Sequence, residues 1–133
     1  MNLEILKIAS NTNNFKDLKK YTHYSKLKNS LCGDEIHIKL VIKNHKIINF
    51  GYQGKSCIYC QASASMLADK LVSYETKKIQ ELCHYANCYF NENQKNLKKE
   101  WKFLGKLLSH KNAARQKCIL LPFNALEKIV SKL

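Results

Sequence analysis

The hydrophobic period of this chain changes at Gly54, and that change restricts the fold more than any other feature. Before it, Glu35 to Lys43 alternates Ile36, Ile38, Leu40 and Ile42 against His37, Lys39 and Lys43, with Val41 the exception. Strand side chains point alternately to opposite faces, so the pattern predicts a strand buried on one face. Asn44-His45 reads as a tight connection, and Lys46 to Gln53 as the second strand of an antiparallel hairpin ended by Gly54. Beyond Cys57 the apolar residues recur at helical spacing through Met66, Leu67, Ala68, Leu71 and Val72. The small residues Ala62-Ser63-Ala64-Ser65 before them would let this helix lie close on a sheet.

The flanking segments extend the pattern. Residues 1–9 suggest a short helix, and Tyr21 to Lys28 a first strand. Further helices are expected over 75–90, 94–109 and 123–132, with Trp101, Phe103, Leu104, Leu107 and Leu108 as the apolar face of the second. Pro122 should break the chain after Ile119-Leu120-Leu121, so that the last helix begins near Phe123. The expected fold class is α+β: one domain over residues 1–133, a small antiparallel sheet of about three strands with several helices packed on it.

Composition narrows the class further. A chain of 133 residues, 45% hydrophobic, can bury its own core and is not wholly disordered. No stretch approaches the roughly 20 apolar residues that span a bilayer, so no membrane partner is expected. Met1 to Lys7 lacks the apolar run of a signal peptide, and a soluble, cytoplasmic protein is the expectation. The terminal Ser131-Lys132-Leu133 matches a peroxisomal address, a three-residue match that a chain rich in Lys and Leu produces by chance. Net charge is +13, from 23 basic and 10 acidic residues, which raises nucleic-acid binding as a function. The lysines form no single stripe, and Arg115 is the only arginine, so nucleic acid is not the expected partner.

Six cysteines in a reducing compartment point to core residues, metal ligands or reactive thiols. Three stand in suggestive settings. Cys32 lies in a turn, Cys32-Gly33-Asp34, where thiolate and carboxylate at i and i+2 could converge on one ion; an ordinary turn is the alternative. Cys57 falls at a strand-to-helix junction, where the positive end of a helix favours thiolate; a buried first-turn cysteine is equally compatible. Cys118 follows Arg115 and Lys117, a cationic setting. Cys60 makes a C-x-x-C with Cys57 and reads first as a small buried thiol, while Cys83 and Cys88 read as core or incidental. His84 and His110 are read as having no cysteine at ligand spacing, and all five histidines as solvated.

Taken together, these motifs resemble the iron–sulfur cluster assembly scaffolds of the IscU and NifU N-terminal family, most closely its SufU-like branch. Asn29-Ser30-Leu31-Cys32-Gly33-Asp34 is similar to the family's N-P-x-C-G-D, with Ser30 in place of Pro. Gly51 to Met66 is similar to its G-x-G-C-x-I-S-x-A-S-A-S-M segment, with Cys60 in place of a usual Ser. Ala114-Arg115-Gln116-Lys117-Cys118 and Leu121-Pro122-Phe123-Asn124-Ala125-Leu126 resemble its A-R-x-K-C…L-x-W-x-A-L close. The interval from Cys57 to Cys118, and Lys117 where the IscU branch has His, fit the SufU-like branch. The Leu-Pro-Pro-Val-Lys chaperone-docking motif is missing, so a dedicated Hsp70 partner is not expected.

The resemblance implies a tetrahedral site of Cys32, Asp34, Cys57 and Cys118 for Zn²⁺, with Cys32 as mobile acceptor of persulfide sulfur from a SufS-type cysteine desulfurase. Arg115, Lys117 and Cys60 would support it, and Arg115 could offset the negative charge that the donor set has in excess of a divalent ion. Downstream iron–sulfur assembly or acceptor proteins would be further partners. A scaffold that transiently builds a [2Fe–2S] cluster, or holds iron, uses the same residues. A basic nucleic-acid-binding module with a structural zinc, and a paralogue with only a structural role, are more distant alternatives. The family's N-terminal H-Y-x-N-P-R-N signature has no counterpart; Ser10-Asn11-Thr12-Asn13-Asn14 occupies that region.

Overall fold

The hairpin forms with the bounds its alternation predicts. In the computed structural model, which describes residues 3–31, 33–91 and 97–133, β2 is Glu35–Lys43 and β3 is Lys46–Gln53. Asn44 and His45 turn between them with φ of 54° and 63°, the left-handed pair that a two-residue hairpin with matching twist requires. Val41 pairs with Asn49 but Ile42 with Ile47, so Ile48 is the extra residue of a bulge. β1, His23–Lys28, adds antiparallel to β2 and completes a sheet in the order β1-β2-β3. It starts two residues later than Tyr21, although the Thr22 hydroxyl still accepts from the Ile42 amide at 2.8 Å and prolongs the ladder.

Helices cover one face of this sheet. α1 (Leu3–Ala9) packs on α2 (Ile58–Lys70), α2 on α4 (Gln116–Val130), and α4 on β1, β2 and α3 (Thr76–Tyr89). The core joins Ile36, Ile38, Leu40, Ile47 and Phe50 of the sheet to Leu67, Leu82, Phe123 and Leu126 of the helices. The small-residue run makes α2 a helix buried around most of its girth, with Cys60, Ala62, Ser63, Ala64 and Ser65 all inside. Its two buried hydroxyls are satisfied by other elements: Ser63 donates to the Ile119 carbonyl at 2.7 Å and Ser65 to the Asn11 carbonyl at 2.8 Å. Among the described residues, no helix is long and apolar enough to cross a membrane.

Two expectations need correction. The helix expected over 94–109 is, over its described part, a 3₁₀ segment Lys99–Leu104 followed by turns; residues 94–96 lie outside the described residues. Buried Trp101, Leu104 and Leu107 recur every third residue, and the amides of Trp101, Gly105 and Leu107 bond three residues back, the 3₁₀ period. Buried Asn112 fixes the exit by donating to the carbonyls of Lys106 and Leu107 at 2.9 and 3.1 Å.

The last helix does not begin near Phe123. α4 starts at Gln116 and runs through Pro122. A proline in a helix interior costs roughly 3 kcal/mol through its missing donor and ring clash. Cys118, Ile119, Leu120, Leu121, Pro122 and Phe123 are all buried here, and burying one such apolar side chain gains about 1.5–3 kcal/mol, so packing outweighs the local cost. Ser63 anchors the turn just before the proline through Ile119. We expect Ser63→Ala to lower the unfolding free energy by about 1 kcal/mol in chemical denaturation, the net worth of a buried hydrogen bond; an unchanged midpoint would contradict that role.

Candidate metal centre

The β1–β2 loop is wound around Asn29. Its side-chain oxygen accepts from the Leu31 amide, its carbonyl from the Gly33 amide at 2.8 Å, and its own amide donates to the Asp34 carbonyl at 2.7 Å. Gly33 has φ of 77°, a left-handed position that favours glycine. This brings Asp34 to the lip of the sheet, buried, immediately before β2.

Gly54 delivers the second group. With φ of 143°, it passes so close to β2 that a Cβ there would stand 2.0 Å from the Glu35 carbonyl oxygen. The Glu35 amide donates to the Lys55 carbonyl at 2.9 Å, holding the outgoing chain against the start of β2. Cys57 then becomes the N-cap of α2, and its amide donates to Asp34 Oδ1 at 3.1 Å. The carboxylate thus caps a helix whose capping residue is a cysteine. The third group, Cys118, sits in the first turn of α4, brought beside α2 by the packing of the two helices.

Asp34, Cys57 and Cys118 offer one carboxylate oxygen and two sulfurs that all lie within 4.8 Å of one another. Asp34 and Cys118 are buried and Cys57 is half-buried. Asp34 Oδ2 is buried with no hydrogen-bond partner, an expensive state for a carboxylate oxygen that a cation beside it would relieve. Two thiolates and a carboxylate match the donor preferences of Zn²⁺ and iron, so the residues fit such an ion.

The other expected residues fall into place differently. Cys32 lies outside the described residues. Cys60 is fully buried one turn into α2 and is not one of the three converging donors. Arg115, at the N-cap of α4, is exposed with its guanidinium 5.6 Å from the centre of the Tyr59 ring, and Lys117 is exposed. Both cations therefore stand at the same helix end as Cys118 without entering the donor cluster. Cys83 is core, and burial, reinforced by the Glu127 charge, pushes its thiol far above the ordinary range. The five described cysteines are thiols.

None of the five histidines is buried, and one expectation, that for His84, needs correction. His37 is partly covered, its two ring nitrogens 2.9 Å from the Tyr24 hydroxyl and 2.8 Å from a Glu35 oxygen, and His110 stacks on Tyr89 with ring centres 4.9 Å apart. His84 does have a cysteine at ligand spacing: Cys88 follows it by one helical turn, with Sγ 3.8 Å from Nε2. The H-x-x-x-C spacing on a helix was the available signal.

Comparison with known proteins agrees with this fold. A profile of the NifU-like N terminal domain matches residues 2–97. The iron-sulfur cluster assembly scaffold protein IscU of Thermotoga maritima is 26% identical over 107 residues, covering 80% of this chain and 75% of that one. Among solved structures, the N-terminal part of a NifU-like protein from Brucella abortus superposes with a TM-score of 0.87 at 20% identity, covering 98% of this chain and 92% of the other. A putative iron-sulfur cluster assembly scaffold protein for the SUF system from Fervidobacterium islandicum AW-1 gives 0.84 at 19% identity, over 98% and 96%. These structural likenesses establish the α+β fold.

Gly54→Ala should lower the unfolding free energy by about 3 kcal/mol or more, since the new methyl meets backbone and the φ is strained. Thermal or denaturant unfolding reads this directly; a loss below 1 kcal/mol, on the order of a surface change, would contradict the close passage over Glu35.

Proposed function

Because the chain belongs to the NifU-like N-terminal domain family, we propose that it serves iron–sulfur cluster assembly as a zinc-dependent sulfur-transfer protein. In this reading Asp34, Cys57 and Cys118, with Cys32, hold the Zn²⁺, and Cys32 accepts sulfur from a SufS-type cysteine desulfurase. The observation that carries the reading is the convergence of two sulfurs and an Asp34 carboxylate oxygen, on a carboxylate whose Oδ2 is buried without a hydrogen-bond partner. Bound Zn²⁺ supplies positive charge that keeps its cysteine ligands as thiolates.

The residues divide the work. Asp34 has a double role, since Oδ1 is already engaged by the Cys57 amide and only Oδ2 remains for an ion. A carboxylate bound through one oxygen is the weakest of the four donors and keeps the site exchangeable. Arg115 and Lys117, with the positive end of α4, offset the negative donor set and favour thiolate at Cys118. The Cys32 thiolate attacks the outer sulfur of the desulfurase persulfide; the S–S bond breaks, the desulfurase cysteine leaves as thiolate, and Cys32 carries the persulfide onward. Iron–sulfur acceptor proteins receive the product, and the missing Leu-Pro-Pro-Val-Lys motif argues against a dedicated Hsp70.

The name of the Thermotoga maritima relative favours a second reading, in which the same donors hold iron or a [2Fe–2S] cluster as cargo until it is passed on. Metal analysis of untagged protein separates the two. We expect about one tightly held zinc per chain after exhaustive dialysis, lost in Cys57→Ser and Cys118→Ser, and no persulfide transfer to Cys32→Ser. Purification with iron and visible-region cluster absorption would favour the scaffold reading. Full zinc occupancy in both cysteine variants would remove the centre, and transfer that survives Cys32→Ser would remove the acceptor.

A further inference from the structure

α3 carries a pair of metal-ligating groups that the proposed function does not use. Its buried side, Ile79, Leu82, Cys83, Ala86 and Tyr89, belongs to the core. His84 is exposed and Cys88 half-buried, one turn apart near the end of the helix. Residues at i and i+4 stack on one helix face, so imidazole and thiol meet side by side.

Their separation has chemical content. A tetrahedral Zn²⁺ with a sulfur at about 2.3 Å and a nitrogen at about 2.0 Å holds those two donors about 3.5 Å apart. Cys88 Sγ and His84 Nε2 stand 3.8 Å apart in a weak sulfur–nitrogen hydrogen bond, within a few tenths of an ångström of that bite. A chelate therefore requires no change of helix geometry and little side-chain movement. A second, independent feature favours a cation there. α3 has no basic residue in its last turn, so its own side chains place no positive charge at the carbonyl end where the helix dipole is negative.

We propose that His84 and Cys88 form a second metal site, a two-ligand chelate for a borderline divalent cation such as Zn²⁺, with its remaining positions open to water. The half-burial of Cys88 keeps its sulfur reachable, whereas neighbouring Cys83 is sealed in the core with its thiol held protonated by burial. With two protein donors against the larger set at Asp34, this site holds its ion more loosely and exchanges it faster. It shares no residue with the Asp34 centre and stands or falls separately from it.

The test is alkylation of the full chain by iodoacetamide, read peptide by peptide in a mass spectrometer. Zn²⁺ should slow the modification of Cys88 about tenfold, because a metal-bound thiolate is a poor nucleophile. Mg²⁺ should not. His84→Ala should abolish the Zn²⁺ protection, with Cys83 unlabelled throughout as the sign that the fold is intact. Protection should persist in Cys57→Ser, where the first centre is disabled. Cys88 reacting at the same rate with and without Zn²⁺, equal protection in His84→Ala, or protection lost in Cys57→Ser would each overturn the proposal.

Discussion

The backbone passage of Gly54 over the Glu35 carbonyl is the contact on which the candidate centre depends. A hairpin that ended a residue earlier or later would send the chain away from the β1–β2 loop. Because Gly54 has no Cβ, the outgoing strand can press against the start of β2, and the Glu35–Lys55 hydrogen bond holds it there. The first helical amide after the crossing then finds the Asp34 carboxylate at hydrogen-bond distance. One steric permission thus sets the entry of α2, the position of Cys57 and the half-occupied state of Asp34.

That half-satisfied carboxylate lowers the cost of burying the candidate centre. A buried acidic group with both oxygens unpaired would oppose folding strongly. Here Oδ1 is satisfied by the chain itself and only Oδ2 waits for a partner. The arrangement limits the cost of burying a carboxylate beside two thiols.

Much of this was legible in the sequence, for local reasons. The alternation of Ile36, Ile38, Leu40 and Ile42 and the two-residue Asn44-His45 turn set the hairpin because register and turn length are short-range properties. Asp34 and Cys57 were legible as candidates because each stood at a turn or helix start, and Cys118 because it followed two cations. What escaped was decided at long range. No local rule says that burial of Leu121 and Phe123 carries α4 through Pro122, or that Asn112 reaches back to hold the 3₁₀ segment. The His84–Cys88 pair is a different case: its spacing was visible, and its significance appeared only when the structure put His84 at the surface and Cys88 in reach.

The hydrogen bond from Ser63 to Ile119 bears on the two thiols, though neither takes part in it. Cys57 opens the helix that carries Ser63, and Cys118 immediately precedes Ile119. This buried tie therefore joins the two helices that present the sulfurs. Loosening that tie would act on both helices at once, and so on the two candidate ligands they carry.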